Sequence, residues 1–178
     1  LSVIDSSTGI PGTPTKVTSG VTSGEVINDI FVLSPRKVFF AADDGKIYKS
    51  TNFAGGVVLA ESGSTSDNFT RIDGVPASGG GTILVAGTFG QDVFYSLDGG
   101  ATWTQTSGSP LGAVTAVAVL SNKRIWVGTD FPSVEFSDDL GVTWQVIELP
   151  APVGNLLSVY DSAFATDEVG YISGQIDK

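Results

Sequence analysis

The 178-residue chain contains neither cysteine nor histidine. Without cysteine it can form no disulfide bond, no thiolate metal site and no cysteine nucleophile. Without histidine it lacks the Ser-His-Asp triad, the ordinary zinc ligand and the usual base at neutral pH. Any catalysis would have to use Asp, Glu, Tyr, Lys or Arg, or a serine without an imidazole. We therefore expect no cofactor, no metal ion and no catalytic residue in this chain.

Long hydrophobic runs are absent too. The longest spans residues 113–120 and is interrupted by Thr115, whereas a membrane-spanning helix needs roughly 20 apolar residues. The chain begins with Leu1 and shows no basic segment followed by an apolar one, the pattern of a signal peptide. We expect no membrane span, and we expect the chain to be processed, truncated or part of a longer product.

Positive charge is scarce: nine Lys and Arg stand against 19 Asp and Glu, which gives a net charge of −10. This charge argues against a nucleic-acid partner, because the phosphate backbone would be repelled. It fits a solvated surface in salty or extracellular surroundings. With 41% hydrophobic and 16% charged residues, the composition is that of a soluble globular protein, and the length suits a single domain over 1–178.

The residues that are present favour β-structure. Val, Ile, Thr, Phe and Tyr cluster in short runs that Gly, Pro, Ser and Asp interrupt at close intervals. No window of about twelve residues carries a sustained helical apolar period. The pattern predicts an all-β fold of many short strands.

One segment, 113–150, reads as a complete unit of four strands. It contains the octapeptide SDDLGVTW at 137–144, and the unit before it, 67–110, contains SLDGGATW at 96–103. In 67–110 we expect the first strand at 69–72 and a Gly-rich insertion at 77–81. The strands predicted for 113–150 are 115–120, 124–129, 134–137 and 143–147.

Further copies of the unit flank these two. A third complete unit is predicted at 26–66, and partial units at 1–20 and 154–178. Units of about 40 residues with four short strands are typical of β-propeller blades. We therefore predict a β-propeller of four-stranded antiparallel blades, with about three full blades and two partial ones. Small residues recur in the second strand of each full unit, where they would let blades approach closely: Ala41-Ala42, Ala86-Gly87 and Val127-Gly128.

The two octapeptides resemble the Asp-box, or bacterial neuraminidase repeat, with the pattern Ser/Thr-x-Asp-x-Gly-x-Thr/Ser-Trp. The resemblance implies a propeller of Asp-box blades and covers nearly the whole chain. The segment 43–51 is also similar to propellers of the photosystem II assembly-factor type. The matching residues are Ser96, Asp98, Gly100, Thr102 and Trp103, then Ser137, Asp139, Gly141, Thr143 and Trp144.

The motif has a mechanical interpretation. An Asp in the hairpin between strands three and four can accept backbone N–H groups and fix the turn. The Gly supplies a positive φ, and the Trp buries a large apolar area between blades. We expect Asp98 and Asp139 to have this structural role. A decayed copy at 50–55 keeps Ser50, replaces the Asp by Asn52 and lacks the Trp.

Calcium binding is one alternative role for these acids. The clusters 43–45, 98–100 and 137–139 each bring only one or two carboxylates, whereas calcium takes six to eight oxygen ligands. Carboxylates from separate loops could still converge. We favour no metal.

Glycoside hydrolysis is the second alternative, because sialidases and some xyloglucan-degrading enzymes carry Asp-boxes. Such enzymes need two carboxylates at a defined separation, and sialidases add three arginines and a Tyr nucleophile. The chain has three arginines, Arg36, Arg71 and Arg124. Arg36 and Arg124 fall in equivalent turns of different units, so they should not converge on one ligand. The Arg-Ile-Pro motif of that family is absent. The candidate acids are Asp29, Asp73, Asp130, Asp161 and Glu135.

Smaller features receive structural interpretations. The sequon at 68–70 is a triplet that arises by chance, and 79–81 is a loop tip, because no Lys-Ser/Thr or helix follows it. Phe131-Pro132 is interpreted as a packed turn in preference to an aromatic presented at a loop tip. Trp126 is predicted to lie in the core between blades.

These observations predict a non-enzymatic binding or structural module. A propeller offers a rigid, loop-bearing face that suits a protein partner or a surface glycan. We expect the module to be extracellular or on the surface of a cell or virion, and to be part of a larger assembly. The alternative is a carbohydrate-active enzyme with its catalytic residues largely outside this segment. An assembly-factor role with a specific partner is a third interpretation.

Overall fold

The computed structural model describes residues 2–3, 15–16, 20–21, 23–34, 36–51, 58–61, 65–77, 80–131, 133–147, 156–164 and 169–176. These residues form sixteen β-strands and connecting turns, and they contain no helix that could cross a membrane. The all-β prediction is confirmed. The strands are β1 (Ser2–Val3), β2 (Thr15–Lys16), β3 (Ile27–Ser34), β4 (Lys37–Ala42), β5 (Lys46–Ser50), β6 (Val58–Glu61), β7 (Phe69–Pro76), β8 (Thr82–Thr88), β9 (Val93–Ser96), β10 (Thr104–Gln105), β11 (Val114–Val119), β12 (Ile125–Thr129), β13 (Val134–Ser137), β14 (Gln145–Ile147), β15 (Leu156–Phe164) and β16 (Gly170–Ile176).

The strands pair in antiparallel sheets, and strands consecutive in sequence are neighbours in space. Within the described residues three sheets have four strands: sheet I (β3–β6), sheet II (β7–β10) and sheet III (β11–β14). Strands β15 and β16 pair as sheet IV, and β1 pairs with β2. Four-stranded antiparallel sheets were expected. The blade boundaries and the number of blades stay predictions.

The four strands predicted for 113–150 lie within two residues of β11 to β14. The first strand of sheet II was predicted to end at Ile72, but β7 continues to Pro76, which pairs with Thr82. That prediction was wrong because the pairing of β7 with β8 extends beyond the apolar residues from which the strand was predicted. The Gly-rich insertion predicted at 77–81 is the segment between β7 and β8, of which 78 and 79 lie outside the described residues. Its Ala77 amide donates to the Gly81 carbonyl at 3.2 Å.

Sheets I to IV pack face to face through apolar side chains. Strand β8 of sheet II is buried at all seven positions, since it has a neighbouring sheet on each face. The contact between sheets III and IV brings Ala116 and Val134 against Val159. The cluster between sheets I and II contains Phe39, Ala41, Ile47, Phe69, Ile72, Leu84, Ala86 and Phe94, and that between sheets II and III contains Ile83, Val85, Val93, Val114, Val117, Val119, Ile125 and Val127.

Glycines in the second strands determine how closely the sheets approach. A Cβ atom at Gly87 would overlap the side chain of Val114 in the next sheet. A Cβ atom at Gly128 would overlap Val159 in the same way. The small residues predicted to allow close approach therefore do so at these two positions.

The first strand of each sheet lies against the first strand of the next. Strand β3 contacts β7, β7 contacts β11, and β11 contacts β15. These four strands thus form one wall of the molecule, and we call them the inner strands.

Candidate functional site

A cavity of about 540 Å³ lies along the inner strands, and β3, β7, β11 and β15 all contribute to its lining. Three of the five candidate acids, Asp29, Asp73 and Asp161, face it together with Arg71. The structure thus brings together side chains that the sequence separates by more than 100 residues.

Uncharged side chains connect the inner strands to one another. The Asn28 side-chain amide donates to the Phe69 carbonyl at 2.9 Å. The Thr70 hydroxyl donates to the Val114 carbonyl, and the Thr115 hydroxyl donates to the Val159 carbonyl. Each donor is the second residue of its strand and satisfies a carbonyl of the next sheet. Our sequence reasoning missed these residues, although a polar residue near the start of each inner strand was the available signal.

Two of the cavity carboxylates also join neighbouring inner strands. One oxygen of Asp29 accepts the Ile30 amide at 2.8 Å, and the other accepts the Ile72 amide of sheet II at 2.9 Å. Asp73 repeats the arrangement one sheet further on and accepts the Val119 amide at 3.0 Å. Backbone amides are thus the partners of both carboxylates.

Burial raises the pKa of the Asp73 carboxyl above its usual range. The negative charges of Asp29 and Asp161 act in the same direction, whereas the amides of Val119 and Gly74 oppose it. The interior of the cavity therefore disfavours additional negative charge.

The remaining charged groups of the cavity also contact the backbone. Asp161 accepts the Ser162 amide at 2.8 Å, just as Asp29 accepts the amide of the residue after it. The Arg71 guanidinium donates to the carbonyls of Thr70 at 2.8 Å and Tyr160 at 3.3 Å. The guanidinium supplies a positive charge in a wall with three carboxylates.

The other two candidate acids lie away from the cavity. Glu135 is buried and accepts the Leu111 amide at 3.0 Å and the Ser133 hydroxyl at 3.3 Å. Asp130 is exposed in the turn after β12.

The other arginines do not join Arg71. Arg124 forms a two-point ion pair with Asp138, at 2.6 and 3.1 Å, in the turn region between β11 and β12. Arg36 lies in the turn between β3 and β4. The three arginines therefore do not form a clamp around one ligand.

The first octapeptide forms a compact hydrogen-bonded turn between β9 and β10, which we call aspartate turn 1 (Ser96–Trp103). The Asp98 carboxylate accepts the Ser96 hydroxyl at 2.8 Å, the Ala101 amide at 3.0 Å, and the Thr102 amide and hydroxyl at 2.9 and 2.7 Å. The Ser96 hydroxyl accepts the Gly100 amide at 2.8 Å. The bonds from Thr102, followed by that from Ser96, hold the pKa of Asp98 well below its usual range.

Aspartate turn 2 (Ser137–Trp144) repeats this network between β13 and β14. Asp139 accepts the Ser137 hydroxyl at 2.7 Å and the Thr143 amide and hydroxyl at 2.9 and 2.7 Å. The bonds from Thr143 are the largest cause that lowers the pKa of Asp139 to about 2. Gly141 adopts a φ of 80°, and Gly100 in turn 1 a φ of 78°, where a side chain would be strained.

The tryptophans end both turns. Trp103 packs against the cluster between sheets I and II, and Trp144 against the cluster between sheets II and III. The Asp-box identity of the two turns stays a prediction. In the decayed copy Ser50 is buried, and residues 52–55 lie outside the described residues.

Metal binding finds no support in the described part of the chain, where no group of three or more Asp or Glu is arranged to hold an ion. In the sequon, the Asn68 side chain accepts the Asp44 amide at 3.1 Å.

Trp126 stacks on Phe164 of sheet IV, with ring centroids 4.8 Å apart, so its predicted position between sheets is confirmed. The packed-turn interpretation was wrong for Phe131, whose side chain is 53% exposed.

Comparison with known proteins gives matches among solved structures only. No protein-family profile matches the chain, and no curated protein does. The WD40 β-propeller domain of Doa1 is similar, with a TM-score of 0.63 and 16% identity over 83% of this chain and 47% of that one. YCF48 bound to D1 peptide is similar with a TM-score of 0.55 and 14% identity over 67% of this chain and 38% of that one. The GH74 xyloglucanase from Xanthomonas campestris is similar with a TM-score of 0.63 and 19% identity over 83% of this chain and 26% of that one.

The chain spans less than half the length of each of these three proteins. Their sequence identity to it is below 20%, so the likeness concerns architecture and not activity. The successive antiparallel sheets place their first strands around a common cavity. Together with the similarity to these structures, this arrangement identifies the fold as that of a β-propeller.

Proposed function

We propose that this chain is a non-enzymatic β-propeller module that binds proteins or glycans, or has a structural role, on the surface of a cell or virion. The observation that carries the proposal is the use of the cavity carboxylates. Asp29 and Asp73 accept backbone amides of the next inner strand at 2.9 and 3.0 Å. A general acid or a nucleophile must instead present its carboxyl group to a substrate. These two acids hold sheets together.

The polar residues of the hairpins support the same proposal. Asp98 and Asp139 each accept at least three hydrogen bonds from within their own turn. We assign both turns as Asp-boxes with a structural role. Their oxygen atoms are directed to neighbouring amides and hydroxyls and not to a ligand.

A binding role also agrees with the architecture. Propellers present loops on a rigid scaffold, and such loops commonly carry binding residues. One structure similar to this chain is YCF48 with a bound D1 peptide, which illustrates peptide binding by the same fold. A place in a larger assembly, with further sheets supplied by other polypeptide segments, belongs to the same proposal.

The second candidate is a carbohydrate-active enzyme whose catalytic residues lie largely outside this segment. One observation favours it: the raised pKa of Asp73 beside Asp29 and Asp161 resembles the setting of a general acid. Similarity to a GH74 xyloglucanase at 19% identity agrees with it at the level of the fold.

Hydrolysis assays test whether any carboxylate of this chain is catalytic. The chain is incubated with xyloglucan, a sialoside and a panel of chromogenic glycosides, beside five variants: Asp29→Asn, Asp73→Asn, Asp130→Asn, Asp161→Asn and Glu135→Gln. We expect no product above the blank for any protein. Hydrolysis by the unsubstituted chain that a single substitution abolishes, in a variant that circular dichroism shows to be folded, would overturn the binding-module proposal.

A further inference from the structure

Several turns of the three four-stranded sheets meet at one end of the inner strands. The Asp43 amide donates to the Val26 carbonyl at 3.1 Å, just before β3. The Phe89 amide donates to the Asn68 carbonyl at 3.0 Å, just before β7. The Asp130 amide donates to the Ala113 carbonyl at 3.0 Å, just before β11. The turns after the second strands therefore share one side of the molecule with the segments that precede the inner strands, and we call this side the upper rim.

Large apolar side chains protrude from the upper rim. Phe89 is 70% exposed, Leu111 57% and Phe131 53%. Phe131 lies directly against Gly112, the residue after Leu111, while Phe89 occupies the corresponding turn of the adjacent sheet. Val26, just before β3, is 52% exposed. Clustered exposed apolar side chains with no packing role are a common feature of protein-binding surfaces.

Carboxylates lie on the same rim as these apolar side chains. Two of them have uncharged partners: Asp43 accepts the Asn28 side-chain amide and Asp92 that of Gln105, both at 2.8 Å. Hydrogen bonds of this kind leave the negative charge in place. The carboxylates of the upper rim are Asp43, Asp44, Asp67, Asp92 and Asp130, together with the buried Glu25.

Positive charge is distributed in the opposite way. Lys46 is the one described basic residue of the upper rim, and it is paired with Glu25 at 2.7 Å and Asp44 at 3.4 Å. The turns at the other end of the strands carry most of the described lysines and arginines. These are Arg36, Lys37, Lys49, Lys123 and Arg124.

We propose that the upper rim binds a positively charged protein segment that carries large apolar side chains. The inference rests on the proposed binding function and names the chemistry of its partner. Phe89, Leu111 and Phe131 would lose water against the apolar side chains of the segment, which supplies the affinity. The carboxylates would attract its lysines and arginines and favour it over acidic segments.

Titration of labelled peptides by fluorescence anisotropy tests the inference. The probe is a 15-residue peptide that alternates Lys or Arg with Leu or Phe. A second peptide has Glu in place of every Lys and Arg, and a third has Ser in place of every Leu and Phe. The proteins are the unsubstituted chain, Phe89→Ser with Phe131→Ser, and Asp92→Asn with Asp130→Asn. Val142→Ser serves as the matched control, because Val142 is 58% exposed in aspartate turn 2 at the opposite end of the strands.

We expect saturable binding of the first peptide alone. Each double variant should weaken it about tenfold or more, the effect of removing central contact residues, and Val142→Ser should leave it unchanged. Raising the salt concentration should weaken binding to the chain and have less effect on the Asp92→Asn, Asp130→Asn variant. Thermal unfolding of each variant checks that it is folded.

Three results would overturn the inference: no saturable binding up to about 1 mM, the limit of weak specific association; equal binding of the acidic peptide; or unchanged binding by both double variants. Binding of a neutral glycan, independent of the rim substitutions, would also overturn it while leaving the binding-module function intact. Failure of that function has a separate readout, the glycoside hydrolysis described above.

Discussion

The Asp29 carboxylate in sheet I accepts the Ile72 amide in sheet II at 2.9 Å, and so joins two sheets through a side chain. Its second oxygen accepts the Ile30 amide at 2.8 Å. Both oxygens of the carboxylate are therefore required as acceptors, and an amide side chain supplies only one.

We expect Asp29→Asn to lower the free energy of unfolding by about 1–3 kcal/mol, because one backbone amide loses its acceptor and faces a second donor. Urea denaturation at neutral pH measures the change. Asp130→Asn, at an exposed turn position, is the matched control and should change stability little. Equal stability of the two variants would show that the bond between the sheets contributes nothing.

The hydrogen bonds of aspartate turn 2 lead us to expect that the stability of the chain depends on pH in the acid range. The pKa of Asp139 is about 2 in the folded chain and about 4 in the unfolded chain. Because the folded-state pKa is the lower one, the carboxylate stabilises the fold above pH 4, and this contribution is lost as the pH falls towards 2. The difference in Tm between the chain and Asp139→Asn should be largest at neutral pH and shrink over that window. A difference that does not vary with pH would contradict the assignment.

The stability contribution of Asp73 should change with pH in the opposite direction. Its pKa is raised in the folded chain, first by burial, so its ionisation favours the unfolded state. The stability contribution of this side chain is then greatest below the unfolded pKa of about 4 and declines as the pH rises through the higher folded value. We expect the Tm of Asp73→Asn to improve relative to that of the chain as the pH is raised from acid to neutral. A relative Tm that falls over the same range would show that the amide bonds to Asp73 outweigh its burial.

These residues also show which features the sequence discloses. Aspartate turns could be predicted because all their partners lie within eight consecutive residues, so the pattern contains the whole network. The strands of sheet III could be predicted because period, turn residues and repeat spacing agreed. The end of β7 could not, since Pro76 is held by pairing with Thr82 and not by a local preference.

The cavity was only partly predictable for a related reason. The sequence named Asp29, Asp73 and Asp161 as candidate acids, but the Ile72 and Val119 amides that Asp29 and Asp73 accept lie in other sheets, 43 and 46 residues away. Exposure of Phe131 depends on which loops surround it, and the dipeptide with Pro132 does not contain that information.

The glycines of the second strands provide the most direct test of how the sheets pack. We expect Gly87→Ala to destabilise the chain by about 1–3 kcal/mol, because the added methyl group overlaps the Val114 side chain of sheet III. Val114→Ala alone should also destabilise it, since that change leaves a cavity at a fully buried position. In the double variant the γ-methyl group of Val114 that overlaps most is gone, although its Cβ atom stays close to the new methyl group. The combined loss should therefore be smaller than the sum of the two single losses. Chemical denaturation of the four proteins gives the coupling free energy. Strictly additive losses would mean that Gly87 and Val114 do not meet across the interface between sheets II and III.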